Sequence, residues 1–206
     1  MAMQNSESAF GAATKALHWA TAILVVAAYA LALSLDQFTR GTDDWRRILH
    51  MHQWVGFTIG FLVIARIYWR LQSKHQPRPL SGGKLEHFAA SAAHFLLYFF
   101  LITMPITGWA GGKMNRTYFN LFEIPSFYNT PLYKPIVTDW LGLTWEQFEK
   151  PLDFFHYELV GPYLLWMLIA LHIGAALFHH FIRRDATMLR MLPGARASQD
   201  NSNGQR

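Results

Sequence analysis

The distribution of charged residues constrains this chain more than any other feature. Four runs contain no Lys, Arg, Asp or Glu, and they lie at residues 16–35, 48–65, 87–112 and 159–182. A helix needs about 20 apolar residues to cross a bilayer at about 1.5 Å per residue. Helices of a soluble bundle would carry a polar face on every turn, which these runs lack. The chain is therefore predicted to be a membrane protein with four transmembrane helices.

The predicted fold is all-α, an up-and-down membrane four-helix bundle in a single domain over residues 1–193. Helices are expected at about residues 14–35, 48–70, 85–110 and 157–183, with an external loop over 111–156. Within this loop, Thr144 and Gln147 resemble a capping box, so a short surface helix that Pro151 ends is expected. The polar residues 194–206 are predicted to form a disordered tail.

The basic residues predict the orientation. Four crossings place both termini on one side, which carries ten Lys and Arg residues against seven on the other, with Arg66 inside helix two. The positive-inside rule then places both termini in the cytoplasm. The basic residues do not form a stripe with interleaved aromatic residues, so the lipid bilayer, and not a nucleic acid, is the expected partner.

Histidine is the candidate functional residue type, because the chain has ten histidines and no cysteine. The absence of cysteine excludes iron–sulfur clusters, thiolate metal sites and covalently attached haem. His18 and His172 fall toward the cytoplasmic side, His52 and His156 toward the external side, and His94 lies in helix three. Ionisable groups inside a membrane are functional candidates. Two histidines near each side, on antiparallel helices, match the ligands that two stacked bis-histidine haems need.

Other occupants of such sites fit the sequence less well. Zinc sites usually include a carboxylate, a cysteine or HExxH spacing, and a proton relay usually includes membrane-embedded Asp or Glu. Haem needs neutral imidazoles and an apolar slot, for which Gly56, one turn after His52, and Gly174, beside His172, leave room. Haem is therefore favoured, and a non-haem transporter or a zinc membrane protein remains an alternative.

Arg66 is expected to act near the cytoplasmic haem. It follows His52 by 14 residues, which is about 40° short of four full turns and about 21 Å along the helix axis. The two residues therefore share a helix face, and the guanidinium of Arg66 is predicted to pair with a haem propionate. An alternative is that Arg66 extends toward the cytoplasmic interface.

A resemblance to a known family rests on residues in every predicted helix. They are His18-Trp19, His52 with Gly56, Arg66 and Arg70, His94 through Tyr98 with Pro105 and Gly108, His156 with His172, and the close from His179-His180-Phe181 through Arg184-Asp185 to Arg190-Met191-Leu192-Pro193. Over about residues 14 to 193, the chain resembles the prokaryotic cytochrome b561 family of four-helix di-haem membrane proteins. The resemblance implies two haems b, a quinone such as ubiquinone as electron donor or acceptor, and the bacterial inner membrane.

The resemblance also implies the iron ligands. It assigns His52 and His156 to an outer haem and His18 and His172 to an inner haem. His50 is the alternative to His52, but it lacks a glycine one turn later.

The remaining predictions concern His94, His179 and His180, and they are less specific. His94 matches a family histidine in helix three and is expected to line a quinone pocket or to bond a propionate. The alternative is a core histidine that bonds a neighbouring helix. His179 and His180 are expected at the cytoplasmic interface, where a helix end favours positive charge.

A six-coordinate haem has no open position, so the expected function is outer-sphere electron transfer between quinone and a redox partner, as in a respiratory chain. The family resemblance also implies superoxide as a candidate external substrate, which would make the protein a superoxide:quinone oxidoreductase. Steering of this anion would use the external cations Arg40, Arg46, Arg47, Lys113 and Arg116. The alternative function is a haem-bearing membrane anchor subunit of a dehydrogenase or hydrogenase, docked through the long external loop.

Helix four presents a geometric conflict. His156 and His172 are 16 residues apart, which leaves them about 160° apart around a regular α-helix. Gly161 and Pro162 lie between them, and proline removes a helical hydrogen bond. The regular helix is therefore predicted to begin or kink beside Pro162, with His156 on a separate or distorted turn.

Overall fold

Four long helices dominate the computed structural model, which describes residues 3–5, 9–73, 75, 77, 82–118 and 122–194. They are α1 (Ala12–Leu35), α2 (Asp43–Gln72), α3 (Lys84–Ala110) and α4 (Trp145–Arg183). Each is long and apolar enough to cross a membrane. Helix α1 packs on α2, α2 on α3 and α3 on α4. The predicted all-α membrane four-helix bundle is thus confirmed, and most of the predicted tail, residues 195–206, lies outside the described residues.

Helix α2 begins five residues before the predicted start, because its N-terminus is capped. The Thr42 hydroxyl accepts a hydrogen bond from the Trp45 backbone N–H at 3.4 Å. Asp43 and Asp44 occupy the first turn, where the helix dipole favours negative charge. The capping residues and the charged first turn therefore extend the helix beyond its apolar run.

Helix α4 begins at Trp145 and not near residue 157. The predicted capping box is confirmed, since the Thr144 N–H donates to Gln147 Oε1 at 2.9 Å and the Gln147 N–H donates to Thr144 Oγ1 at 3.4 Å. The prediction that Pro151 ends this helix was wrong, because the helix continues to Arg183. The expected separate surface helix is therefore the first part of α4.

The segment between α3 and α4, for which an external loop is predicted, is folded and not an open loop. Strands β1 (Arg116–Tyr118) and β2 (Phe122–Ile124) pair in antiparallel register. Behind them Phe127, Val137 and Trp145 are buried. The segment thus forms a small cap, with its own apolar core, on the side opposite the termini.

The membrane-spanning helices bury few of their own side chains. A cluster of Phe100, Val160, Leu165 and Leu168 forms the core between α3 and α4. In contrast, large apolar side chains of all four helices are exposed, and the exposed fraction of Ile23 is 65%. Such faces are stable only against lipid, since water would disfavour that much contiguous apolar surface.

Candidate functional site

Two histidines predicted to lie near the external side come together between α2 and α4. The ring centres of His52 and His156 are 6.3 Å apart, and their planes make an angle of 76°. Two imidazoles on one metal, each with a nitrogen about 2 Å from it, have ring centres about 6 Å apart. The gap between these rings therefore has the width that one iron atom requires.

Hydrogen bonds fix the orientation of both rings in this outer pair. His52 Nδ1 lies 2.9 Å from the Ala28 carbonyl oxygen on α1, which can only accept. His156 Nδ1 lies 3.1 Å from Thr107 Oγ1, a hydroxyl that is also within hydrogen-bond distance of the Thr103 and Met104 carbonyls. The Nδ1–H of His52 is thus a donor, which leaves its Nε2 with a free lone pair, and the contact with Thr107 holds the ring of His156. Ligand histidines of metal sites are typically held in this way.

A second group of histidines lies between the ends of the helices near the termini. The ring centres of His18 and His172 are 6.1 Å apart, again close to the separation across one iron. His94 lies on the other side of His172, at 5.3 Å, and its Nδ1 donates to the Ala90 carbonyl at 2.7 Å. His18 Nδ1 is buried and has no hydrogen-bond partner among the described residues. This inner group therefore contains one buried polar nitrogen that a metal or another group could satisfy.

Wide helical turns in α4 remove the angular mismatch that a regular α-helix would leave between His156 and His172. Residues Phe154–Leu165 form a π-helix and Trp166–Phe178 form a regular α-helix. A π-helix turns by roughly 80° per residue, compared with about 100° in an α-helix. Over the nine residues from Tyr157 to Leu165 it lags by roughly 180°, which cancels the 160° mismatch to within about 20°. His156 and His172 can therefore face the same side of the helix.

This finding confirms part of the prediction for α4 and corrects the rest. His156 does lie on distorted turns, as expected. The regular α-helix begins at Trp166, four residues after Pro162, but the distortion extends as a continuous stretch on both sides of the proline and does not end the helix. The physical reason is that a run of i→i+5 bonds absorbs the missing donor of Pro162 without ending the helix.

Gly161 makes the wide turn possible. A Cβ atom at this position would lie 2.5 Å from the His156 carbonyl oxygen, a distance that real Cβ atoms do not reach. The carbonyl of Gly161 in turn accepts a hydrogen bond from the Tyr29 hydroxyl of α1 at 2.8 Å. The distorted segment is thus fixed by a glycine within it and by a contact from another helix.

Gly108 on α3 leaves the space that the His156 ring occupies. A Cβ at Gly108 would lie 2.9 Å from His156 Cε1 and 3.3 Å from its Nδ1. At Gly56 and Gly174, in contrast, an added Cβ would meet no protein atom within 4 Å. Open space one turn from His52 and beside His172 is what an apolar slot for a flat macrocycle provides.

Arg66 lies near the inner histidines, as its spacing from His52 predicts. Its guanidinium carbon is 5.4 Å from the centre of the Tyr98 ring, and its charge acts on His18, His94 and His172. A cation buried among neutral rings inside a membrane is costly unless an anionic group compensates it. The position is therefore suited to an anionic group bound beside the inner histidine pair.

Hydrogen bonds join the start of α1 to the segment that follows α4, below the inner group of histidines. The Trp19 indole N–H donates to the Met191 carbonyl at 2.8 Å. The Lys15 ammonium donates to the Leu192 carbonyl at 3.2 Å. The residues that carry the family resemblance at both ends of the chain are thus in contact with each other.

The described residues contain no group of three or more His, Asp or Glu side chains arranged to hold a bare metal ion. A zinc centre of the ordinary kind therefore has no support in this part of the chain. Each of the two pairs instead has two imidazoles with ring centres about 6 Å apart, a separation that fits a haem, whose macrocycle supplies the other four ligands.

The predicted cationic entry at the external face is largely occupied by local contacts. Arg46 pairs with Asp43 and Arg47 with Asp44, each at 3.6 Å on the helix surface. Of the remaining three cations, Arg40 lies over the ring of Trp45, and Lys113 lies near the rings of both Tyr128 and Trp145. The side chain of Arg116 is outside the described part of the chain.

The remaining histidines are not part of the two pairs, although His94 packs on His172. His87, His94 and His179 line a cleft of about 660 Å³ between α2 and α3 that also reaches the end of α4. The His180 ring packs on Phe181 at 4.7 Å. His50, the alternative ligand, lies two residues before His52 on α2.

Sequence reasoning did not identify several residues that support these pairs. Thr107, Ala28 and Tyr29 act through hydrogen bonds to a histidine or to the turn that carries it. Their residue types are common in any membrane helix, so a single sequence contains no signal for them. Gly108 carried such a signal only through its place in the family motif.

Comparison with known proteins agrees with this geometry. The family model described as "Prokaryotic cytochrome b561" matches residues 9–194. The chain is similar to "Cytochrome b561 homolog 1" of Escherichia coli (strain K12), with 28% identity over 86% of this chain and 93% of that protein. It is similar to "Cytochrome b561 homolog 2" of the same organism, with 28% identity over 93% and 95%. It is also similar to "Probable superoxide oxidase CybB" of Yersinia pestis, with 25% identity over 87% and 93%.

Proposed function

The chain belongs to the prokaryotic cytochrome b561 family of membrane electron-transfer proteins, and from this we propose that it carries electrons through two haems b between quinone and a second redox partner. The observation that carries the proposal is the pair of opposed imidazoles on each side of the bundle. His52 and His156 would hold the outer haem, and His18 and His172 would hold the inner one.

A haem with two histidine ligands supplies one-electron oxidation and reduction without an open coordination position. The protein residues perform the remaining tasks. Ala28 and Thr107 orient the outer imidazoles, and Gly56 and Gly108 leave space for the macrocycle and for a ligand ring. The exposed apolar faces keep the path within the low-dielectric bilayer.

Arg66 is proposed to compensate a propionate of the inner haem. It carries a positive charge beside the inner histidines, in a part of the membrane where an unpaired charge is costly. Tyr98 covers one face of the guanidinium. The N–H groups point outward in the guanidinium plane, where they can donate to a carboxylate.

Quinone is proposed to bind in the cleft that His94 lines. The cleft volume of about 660 Å³ is in the usual range for ligand pockets of 300 to 1,000 Å³. Its wall includes Phe95, whose exposed fraction is 68%, so the cleft opens toward lipid. A lipid-soluble molecule such as ubiquinone could therefore enter from the bilayer and lie beside the inner haem.

The charge bias supports an orientation with both termini in the cytoplasm of a bacterial cell. The inner histidine pair and the cleft would then face the cytoplasmic half of the inner membrane. The outer pair and the folded cap would face the external side.

Superoxide oxidation is a second candidate function, because one similar protein is named a probable superoxide oxidase. Each superoxide would give up one electron near His52 and His156 and leave as dioxygen, and two such electrons with two protons would convert one quinone in the cleft to quinol. Of the five predicted external cations, Arg46 and Arg47 are in ion pairs with Asp43 and Asp44, which reduces their attraction for the anion. A haem-bearing anchor subunit for a dehydrogenase or hydrogenase would instead use the folded cap for docking.

Reduction of the purified protein by a quinol analogue tests the proposal. We expect the visible spectrum of haem b and its reduction by duroquinol without any added protein. Reduction by enzymatically generated superoxide, abolished by superoxide dismutase, would support the second candidate. A colourless protein would refute the haem proposal, and a haem protein that reacts only with an added dehydrogenase would favour the anchor subunit.

A further inference from the structure

The end of α4 carries a histidine–aspartate pair that the two haem sites do not use. His179 Nδ1 lies 2.6 Å from Asp185 Oδ2, and the exposed fractions of the two side chains are 25% and 14%. Arg184 ends the helix in the left-handed conformation, with φ of 53°, and turns the chain back toward His179. The Asp185 N–H then donates to the His179 carbonyl at 3.1 Å. The chain reversal thus brings the carboxylate to the imidazole.

The carboxylate is itself held in place. The Thr187 backbone N–H donates to Asp185 Oδ1 at 2.9 Å, which leaves Oδ2 to accept from His179 Nδ1. With Nδ1 committed as a donor, Nε2 is the ring nitrogen left to accept or release a proton. An imidazole oriented by a carboxylate is a frequent arrangement for general acid–base chemistry.

His179 and Thr187 line the same cleft as His94. The ring of His94 lies 5.3 Å from that of His172, so this cleft adjoins the inner histidine pair. Apolar side chains with large exposed fractions, such as Leu71 at 78%, line its opening to the bilayer. One cleft therefore joins a route from lipid, the inner histidine pair and a histidine–aspartate pair at the helix end.

We propose that His179 exchanges protons with a quinone or quinol bound in this cleft, and that Asp185 positions its ring. The inference rests on the proposed function, which supplies the electron acceptor. When quinol is oxidised, two O–H bonds break, two C=O bonds form, and two electrons leave to the electron-transfer chain of the protein. Two protons pass one after the other to His179 Nε2 and on to water. Quinone reduction uses the same path in reverse.

Other titratable groups that face the cleft are less suited to this role. Glu86 is paired with Arg183 at 2.6 Å, and the guanidinium of Arg70 offers only N–H donors. His94 packs against the ring of His172, a proposed iron ligand. His87 remains as the one competing imidazole, and it is included in the test for this reason.

The test compares substitutions at two adjacent histidines. In His179→Gln, the side-chain amide can still donate to Asp185, but it cannot accept a proton. His180→Gln is the matched control, since the His180 ring packs on Phe181. Stopped-flow reduction of the haem-loaded protein by duroquinol gives a limiting rate and a half-saturating quinol concentration. We expect the limiting rate of His179→Gln to fall at least 10-fold, within the usual range for general acid–base catalysis. Half-saturation should change less than 3-fold, and His180→Gln should match the wild type.

Three further measurements separate proton exchange from a structural role. Dithionite, which reduces haem without quinol, should reduce His179→Gln as fast as the wild type, with an unchanged spectrum. The pH dependence of the duroquinol rate should change in His179→Gln and in Asp185→Asn but not in His180→Gln. The rate of Asp185→Asn should fall severalfold, because its amide orients the ring less strongly.

The possible failures are distinguishable. If duroquinol does not reduce the wild-type protein, the proposed function fails and the inference falls with it. If duroquinol reduces the wild type and His179→Gln at equal rates, only the inference is overturned. A rate loss in His87→Gln, without one in His179→Gln, would also overturn it. An equal loss with dithionite in His179→Gln would assign His179 a structural role and would likewise contradict the proposal.

Discussion

Replacement of Gly108 by alanine should disturb the outer haem selectively. The added Cβ would lie 2.9 Å from His156 Cε1, whereas carbon atoms normally approach to about 3.5–4.0 Å. The ring would have to move by roughly 0.6–1 Å. The hydrogen bond of Nδ1 to Thr107, which precedes Gly108 on α3, is 3.1 Å long and would have to stretch or break if the ring moved away from α3. A metal–imidazole bond tolerates only about 0.2 Å, so His156 cannot relax and keep its bond unchanged.

The expected magnitude follows from the cost of overpacking. An added methyl group in a packed site usually costs about 1–3 kcal/mol, which corresponds to roughly 5- to 150-fold weaker binding. The inner pair is on the other side of the bundle and should keep its haem. A pyridine haemochrome assay on Gly108→Ala should therefore give between one and two haems per chain, with loss of the outer component in redox titration.

Gly83→Ala provides the control for this experiment. Gly83 precedes α3, its φ of −89° suits any residue, and an added Cβ would meet no atom within 4 Å. This variant should keep both haems with unchanged potentials. If Gly108→Ala also kept two haems with unchanged spectra and potentials, His156 would not be an iron ligand in the geometry described here.

Three other predictions concern the remaining site residues. Arg66→Ala should lower the potential of the inner haem by roughly 70 mV, the effect of one charge about 10 Å away at an effective dielectric constant near 20; movement of only the outer component in a redox titration would contradict this. His52→Ala should lose the outer haem and His50→Ala should keep it, as measured by haem content; the opposite result would exchange the two assignments. Gly56→Ala, whose Cβ meets no protein atom, should lower outer-haem content without changing helix content by circular dichroism, and full haem content would show that the macrocycle does not lie there.

The helices could be predicted from sequence because lipid imposes a simple rule. A stretch that crosses the bilayer must exclude charge and satisfy its backbone internally, so the charge-free runs predicted α1 to α4. The starts of α2 and α4 could not be predicted from those runs. They depend on the capping residues Thr42 and Thr144, which extend the helices through polar sequence.

The site was predictable in its residue types but not in its geometry. Histidine inside a membrane is rare enough to mark His52 and His156 as candidates. The wide turns of α4 depend on the contact of Tyr29 with Gly161, and such a tertiary contact leaves no periodic signal in sequence. The 160° conflict between His156 and His172 did indicate that α4 is irregular. It could not indicate that the irregularity spans twelve residues.

The haem content of the purified protein tests the central claim most directly. The account predicts two haems b per chain by pyridine haemochrome assay. His18→Ala or His172→Ala should remove one haem, and His52→Ala or His156→Ala should remove the other. A value near one in the wild-type protein would eliminate one of the two histidine pairs, and the same four variants would identify which. A protein without haem would contradict the whole assignment of both sites.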